Sequence, residues 1–191
     1  MRLFKRKKEK SARRHELCDI PIGSMIELSD TTTFALEEKE TQTFELKAYK
    51  KYEAQGLLRY MYQLVNDEEV IFGVNMDPDT GEYDLGRFVI DSEEEFTEPL
   101  GDSIVIEFDD PENEDEAVEV EYVRNDIINT KMTIISPDGS EEYHDVELHD
   151  YSADDGTILS VELWESWFTF YLGETIERAD VNVFPVEPEE E

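Results

Sequence analysis

The chain has 191 residues, of which 39% are hydrophobic and 11% aromatic, and its 50 acidic and 17 basic residues give a formal net charge of -33. This length and apolar content exclude a wholly disordered protein and predict a buried core. So acidic a chain is expected to repel nucleic acid and to attract cations or basic partners. No apolar run approaches about 18 residues, so we expect no membrane-spanning helix.

The start of the chain differs in charge from the rest. Residues 1–14 hold eight basic groups and one acidic group, a net charge of +7, and the remaining residues carry -40. Each basic side chain near an anionic lipid surface contributes about 1 kcal/mol, and bulky apolar side chains can insert beside it. The alternative is a solubilising tail, or a segment that folds back onto the acidic body. The predicted membrane- or partner-binding residues are Arg2, Leu3, Phe4, Lys5, Arg6, Lys7 and Lys8.

Composition predicts a flexible basic head over residues 1–19, an acidic all-β domain over 20–186 and an acidic tail over 187–191. The charged stretch at 91–102 could divide the domain into two β subdomains. The single cysteine, Cys18, excludes an internal disulfide and fits a reducing compartment. Because the basic start lacks the apolar segment of a secretory signal, we predict a cytoplasmic protein, peripheral to the inner membrane if its head binds lipid.

Strand signals begin after residue 20. Ile22–Leu28, Thr31–Leu36 and Thr43–Tyr49 are the first three predicted strands, and Lys50–Gln55 is predicted to form a single helical turn. These assignments follow from alternating apolar residues and from the charged residues that separate the runs.

The clearest pattern is a three-stranded meander over Gly56–Ile90. Its first strand, Leu57–Val65, alternates with a period of two, as is typical of a half-buried strand. Asp77–Glu82 has the proline and glycine of a tight turn, and Gly86 in the third strand suggests a bulge. The predicted apolar face of the first strand consists of Leu58, Tyr60, Tyr62 and Leu64, opposite Arg59 and Gln63.

The second half of the chain is predicted to consist of further short strands. We expect an acidic loop at Asp91–Glu95 and a turn or short helical piece at Asn125–Asn129. Ser166–Leu172 is apolar on both faces, which indicates a central strand covered on both sides. About twelve short strands predict an all-β fold, a meander-rich antiparallel sandwich or barrel. The other predicted strands are Ile104–Phe108, Val118–Tyr122, Lys131–Ile135, Tyr143–Tyr151, Thr157–Trp164 and Val181–Val186.

Catalytic motifs are missing from the sequence. It contains no phosphate-binding glycine loop, no G-x-S-x-G elbow and no HExxH helix. His144 and His149 are five residues apart, so on one strand they would point to opposite faces, and we predict surface positions for both. His15 and Cys18 lack the second pair of ligands that a zinc site needs. We therefore predict no catalytic residue, no cofactor and no metal site.

Two acidic turns have carboxylates that could hold a cation. Around Gly81, the spacing of Asp77, Asp79 and Asp84 departs from that of an EF-hand, because glycine stands at the fifth rather than the sixth position. A plain turn is the better interpretation there. Asp154–Gly156 is likewise predicted to be a hairpin turn, with loose cation binding as the alternative.

Glu162 is the one acidic residue that the pattern sets apart. It lies beside Trp164 on an aromatic-rich strand, where burial would raise its pKa. The alternative is a rim residue, or a partner of Arg59, Arg87 or Arg124.

Several segments follow one another in an order that matches a known family. They are Met1–Lys7, Ile22–Leu28, Arg59–Leu64 with Asn66 and Asp67, Leu159–Leu163, Gly173 and Ile176–Asp180. In this order of segments, which covers most of the chain, the protein resembles the YjfK-like family of bacterial proteins. The resemblance implies no enzymatic activity. It implies a gene neighbourhood with phage-shock-protein-A-like membrane-remodelling proteins and polyamine-conjugating enzymes, and hence an accessory role in membrane stress.

Three classes of function remain open from the sequence. The first is a non-enzymatic interaction protein at the inner membrane surface, with an anionic membrane, a phage-shock-protein-A-like protein or another basic protein as partner, and no nucleic acid. The second is a module that binds polyamines or divalent cations. The third is a small-ligand binder or an enzyme, which requires a pocket that joins Glu162 or a histidine to buried aromatic side chains.

Overall fold

The structure, a computed structural model, describes residues 16–29, 41–110 and 113–186, apart from the side chains of residues 109–116. The described residues form eleven strands and one short 3₁₀ helix, Arg178–Asp180, which confirms the all-β prediction. The strands are β1 Met25–Ser29, β2 Thr41–Ala54, β3 Leu57–Val65, β4 Glu69–Met76, β5 Tyr83–Glu95, β6 Ser103–Asp110, β7 Asn113–Ile135, β8 Glu141–Ser152, β9 Thr157–Trp164, β10 Trp167–Ile176 and β11 Val181–Phe184.

All eleven strands belong to one antiparallel sheet, in the order β11-β1-β2-β3-β4-β5-β10-β9-β8-β7-β6. An additional pairing of β2 with β7 joins the eight strands from β2 to β7 in this order into a partial ring. β2 is long enough to pair with β1 through Thr41–Glu45 and with β7 through Tyr49–Glu53. The strands outside this ring are β1 and β11 at one end of the order and β6 at the other.

The ring has an apolar core inside it. Residues of all eight ring strands contribute to this cluster, which places it in the ring interior. Its buried members are Tyr52, Met61, Ile71, Phe88, Met132, Val146, Leu148 and Tyr171, with Ile128, Ile134, Ile158 and Trp164 partly buried against them.

Two further clusters lie on the outer face of the ring. The opposite face of β3 packs Tyr60, Tyr62 and Leu64 against β1, β11 and residues 17–20. The opposite face of β8–β10 packs against β6 and the first half of β7. Most ring strands are therefore buried on both faces, which explains why β10 is apolar on both sides, as its sequence predicted.

A bulge in β2 decides which of its side chains enter the ring. Phe44 and Leu46 pack in the outer cluster, the register shifts between Leu46 and Ala48, and Tyr49 then takes the outer face while Tyr52 enters the ring. Because the extra residue reverses the alternation, Lys50 lies on the inner side.

The predicted meander is confirmed, and β3 has the predicted bounds. Its second face is not solvated, however, because Arg59 points into the ring and is only 5% exposed. Gly86 is not a bulge: the register is continuous through its pairings with Gly73 and Thr175. A glycine is required there for steric reasons, described below.

Three charged segments predicted as loops or helical turns are strands. Lys50–Ala54 continues β2, residues 91–95 continue β5, and residues 125–129 lie within β7. Each is held by pairing with strands distant in sequence, which local composition does not reveal. The predicted first strand begins only at Met25. The predicted strand over residues 31–36 lies outside the described residues.

Candidate functional site inside the ring

A buried polar cluster joins three strands inside the ring. The Lys50 ammonium on β2 donates hydrogen bonds to Glu162 Oε1 on β9, at 2.7 Å, and to the hydroxyl of Tyr171 on β10, at 2.9 Å. The hydroxyl of Tyr52 donates to the other carboxylate oxygen of Glu162. Glu162 is only 1% exposed. In place of water, its carboxylate therefore accepts hydrogen bonds from the ammonium group of Lys50 and the phenol of Tyr52.

The surroundings of this cluster fix its protonation at neutral pH. Burial opposes the charge of Lys50, but contacts with Tyr171 and Glu162 raise the pKa of Lys50 above its ordinary value. Burial and then the charge of Glu162 raise the pKa of Tyr171 to about 12, and the same two causes raise the pKa of Tyr52 well above its ordinary value. Lys50 therefore stays charged and both phenols stay protonated.

A second polar cluster joins β3, β4, β8 and β9 inside the ring. Both Nη atoms of Arg59 donate to Asp150, at 3.0 and 2.6 Å, in the bidentate arrangement that suits guanidinium and carboxylate. Arg59 also donates to Asn75 Oδ1 at 2.6 Å and to Ser160 Oγ at 3.2 Å, and Ser160 donates to Asp150 at 2.8 Å. The charge of Arg59 is thus neutralised within the ring.

Each polar cluster borders a cavity. The Arg59 cavity, of about 290 Å³, is lined by Arg59, Asn75, Asp84, Phe88, Asp150 and Ser160, among others. The Lys50 cavity, of about 230 Å³, is lined by Lys50, Tyr171, Glu69, Glu93, Ile71 and Ile134, among others. Met61 borders both cavities, so its side chain stands between the two spaces.

The ring of Phe88 fills the interior beside these cavities, and three glycines make room for it. An added Cβ would stand 2.6 Å from Phe88 at Gly73, 2.5 Å at Gly86 and 2.4 Å at Gly173. These glycines lie on β4, β5 and β10, three neighbouring strands. The ring of Phe88 can occupy this position only because these three residues have no side chain.

The structure buries Glu162, which is 1% exposed, and so decides against a rim position, and its partner is none of the three arginines named from the sequence. Its ion pair is with Lys50, whereas Arg59 pairs with Asp150 and Arg124 with Asp102. Sequence reasoning missed Lys50, because the bulge that turns it inward is not visible in the alternation of β2. The burial of Arg59 and its pairing with Asp150 were missed because polar residues on a strand normally indicate a solvated face.

The predicted surface positions of the two histidines need correction. They do lie on opposite faces of β8, but His149 is only 5% exposed and its Nε2 lies 2.7 Å from Glu147 Oε1. His144 packs against Trp164, with ring centroids 4.2 Å apart. The partner of His149 lies on β8 itself, whereas His144 contacts a residue of the neighbouring strand β9.

The acidic turn before β5 is held by its own hydrogen bonds. Asp77 Oδ1 accepts from the backbone amides of Asp79 and Thr80, at 2.7 and 3.2 Å, and these bonds lower the pKa of Asp77. No group of three or more potential metal ligands occurs in the part of the chain that the structure describes. The predicted binding residues Arg2, Leu3, Phe4, Lys5, Arg6, Lys7 and Lys8, and also His15, lie outside the described residues.

Comparison with known proteins adds no relative. No protein-family model matches the chain, and no significant match was found among curated proteins or solved structures. Among the described residues, no helix has the length and apolar character needed to cross a membrane. The fold and the ring interior therefore have to be interpreted from their own chemistry.

Proposed function

We propose that the chain is a non-enzymatic interaction protein of the cytoplasm, with an acidic β body that attracts cationic partners and a basic head that binds an anionic membrane surface. The observation that carries this proposal is that the lysines and arginines of the body are paired with its own carboxylates. Seven of the eight lysines and arginines in the described ranges form ion pairs with carboxylates, and the eighth, Arg87, lies opposite Glu174. The described part of the body thus has more carboxylates than cations, and each of these cations lies beside a carboxylate of the same chain.

The ring interior supports the non-enzymatic part of the proposal. A general acid or base works best with a pKa near the operating pH. Burial, followed by the charge of Glu162, instead raises the pKa values of Tyr52 and Tyr171, and the contacts of Lys50 with Tyr171 and Glu162 raise its pKa against the effect of burial, so these groups keep their protons at neutral pH. Their hydrogen bonds join strands to one another, which is a structural role.

Flotation of the full chain with vesicles of anionic and of neutral lipid tests the membrane part. The variant Lys5→Gln/Arg6→Gln/Lys7→Gln/Lys8→Gln removes four charges, each worth about 1 kcal/mol at such a surface, and should abolish flotation with anionic vesicles. Lys131→Gln is the matched control, because this cation is 81% exposed on the body. Flotation that is unchanged in the head variant would refute the membrane part.

The partner is proposed to be a basic protein, with a phage-shock-protein-A-like protein as the first candidate from the resemblance to YjfK-like proteins, which itself stays a prediction. Capture from native cells at moderate salt, with elution by added salt, tests this part. Recovery of predominantly acidic proteins, or binding that resists salt, would contradict it.

Binding of polyamines or divalent cations is the second candidate, favoured by the same excess of carboxylates. Calorimetric titration with spermidine and with calcium at moderate salt distinguishes it. Saturable heat would support a cation-binding module, and its absence would reject one.

A further inference from the structure

The Arg59 cavity has features of a ligand site that the proposed function does not use. Its volume is about 290 Å³, and residues of the ring strands line it. At about 30 Å³ for a water-sized group, this space holds about ten non-hydrogen atoms. Any group that fits inside it is therefore limited to about this size.

The charges of the cavity favour a cation. Arg59 is neutralised by its bidentate pair with Asp150 and is held by two further hydrogen bonds, so it has little capacity to attract an anion. Asp84 is solvent-exposed and also lines the cavity, and no hydrogen bond or ion pair joins its carboxylate to another described residue. A carboxylate without an ion-pair partner therefore stands where the cavity meets solvent, in a chain of net charge -33.

The inner wall of the cavity is apolar. Met61 and Phe88 are 5% and 8% exposed, and Ile158 lies beside them. Gly73 and Gly86 contribute only backbone to this wall. A hydrocarbon chain can thus be buried against Phe88 and Met61, while a positively charged group at its end lies near the carboxylate of Asp84.

We propose that the Arg59 cavity binds a small primary amine, with its ammonium group on Asp84 and its hydrocarbon body along Phe88 and Met61. The apolar wall selects against small inorganic cations, which gain nothing from hydrocarbon surface. Because Arg59 is already paired with Asp150, the cavity selects against carboxylates of the same size.

The probe is n-hexylamine, titrated by calorimetry into the full chain and followed by amide chemical shifts, with hexan-1-ol, hexanoate and ammonium chloride as comparisons. Saturable binding of hexylamine is expected, with shift changes centred on Asp84, Phe88 and Thr175. The three comparison compounds should bind at least about tenfold more weakly, since each lacks either the positive charge or the hydrocarbon chain.

Asp84→Asn is expected to weaken hexylamine binding about tenfold, because it removes a charged acceptor and keeps the shape of the side chain. Asp67→Asn is the matched control, an exposed carboxylate in the β3–β4 turn, at the end of that hairpin opposite Arg59 and Asn75, and it should change the affinity less than about twofold. Equal effects of the two substitutions, hexanoate binding as tight as hexylamine binding, or no saturable hexylamine binding by the unmodified chain would each overturn the proposal. The chemical shifts locate the site without reliance on any variant.

Discussion

Lys50 and Glu162 form an ion pair of 2.7 Å between β2 and β9, across 112 residues of sequence. The side chain of Glu162 is 1% exposed, whereas that of Lys50 is 26% exposed. The two partners are thus unequally buried. Loss of the cation leaves a charge inside the protein, and loss of the carboxylate leaves a cation that can still reach water.

Lys50→Met is therefore expected to destabilise the protein by about 3–5 kcal/mol, because Glu162 then stays buried without its cation. The double variant Lys50→Met/Glu162→Gln should recover part of this loss. Urea unfolding of the single and double variants measures both effects. Lys131→Met is the control, since its pair with Asp145 is exposed, with side chains 81% and 86% accessible, and it should change stability by less than about 1 kcal/mol. Equal losses for Lys50→Met and Lys131→Met would contradict the buried role.

Gly86→Ala is expected to destabilise the protein by about 1–3 kcal/mol, because the new methyl group overlaps the Phe88 ring. Adding Phe88→Leu should relieve the overlap and reduce the cost of the alanine. Gly173→Ala is the contrasting variant, since its Cβ would also stand 2.4 Å from the backbone oxygen of Arg87 and Phe88→Leu cannot relieve that contact. Thermal unfolding of the four variants separates the two cases. Equal rescue at both glycines would show that the side chain of Phe88 is the whole obstacle.

Cys18 is expected to react slowly with thiol reagents. Burial, followed by the charge of Asp19, raises the pKa of its thiol to about 11, although Lys51 acts in the opposite direction. A thiol shifted by about two pKa units has about 100-fold less thiolate at pH 8. The rate of reaction with a chromogenic disulfide between pH 7 and 9.5 measures this, and it should still rise at the upper end. The reference is Ser166→Cys in a Cys18→Ser background, at an exposed turn; equal rates would contradict the prediction.

Stability is expected to fall as the pH rises above about 10. In the folded state the pKa of Tyr171 is raised to about 12 and that of Tyr52 is raised well above its ordinary value, both chiefly by burial. The unfolded chain therefore loses these protons first, and the stabilisation present below pH 10 is lost toward pH 12. Each such tyrosine contributes about 1.4 kcal/mol per pH unit to the slope. Urea unfolding across this range, with Tyr52→Phe to remove one contribution, measures the slope, and a flat profile would disprove the assignment.

The sequence predicted the class of fold because β3 and its neighbours alternate clearly. Tyr60 and Tyr62 share one apolar face, and the turn at Asp77–Glu82 has unmistakable chemistry. The ring interior was not predictable in the same way. Among its apolar side chains, the interior contains Lys50, Arg59 and other polar residues. Their burial is explained only by their partners on other strands.

Strand continuity was the other failure of prediction. β7 runs for 23 residues through a charged middle, because its two halves have different neighbours. Its first part pairs with β6 up to Val123, and Lys131–Ile135 pairs with β2. Long-range pairing of this kind overrides local composition, and no short window of the sequence contains the information.

The pairing that completes the ring also has a consequence for how the chain folds. It joins Tyr49–Glu53 to Lys131–Ile135, and Lys131 follows Glu53 by 78 residues. The entropy of closing so long a loop has to be lost before this contact gives any stabilisation. The β3–β4 and β8–β9 hairpins, by contrast, form from adjacent segments. We expect refolding on a scale of milliseconds to seconds, as for other proteins rich in distant strand pairings, with the hairpins formed early and the β2–β7 seam among the last parts to form.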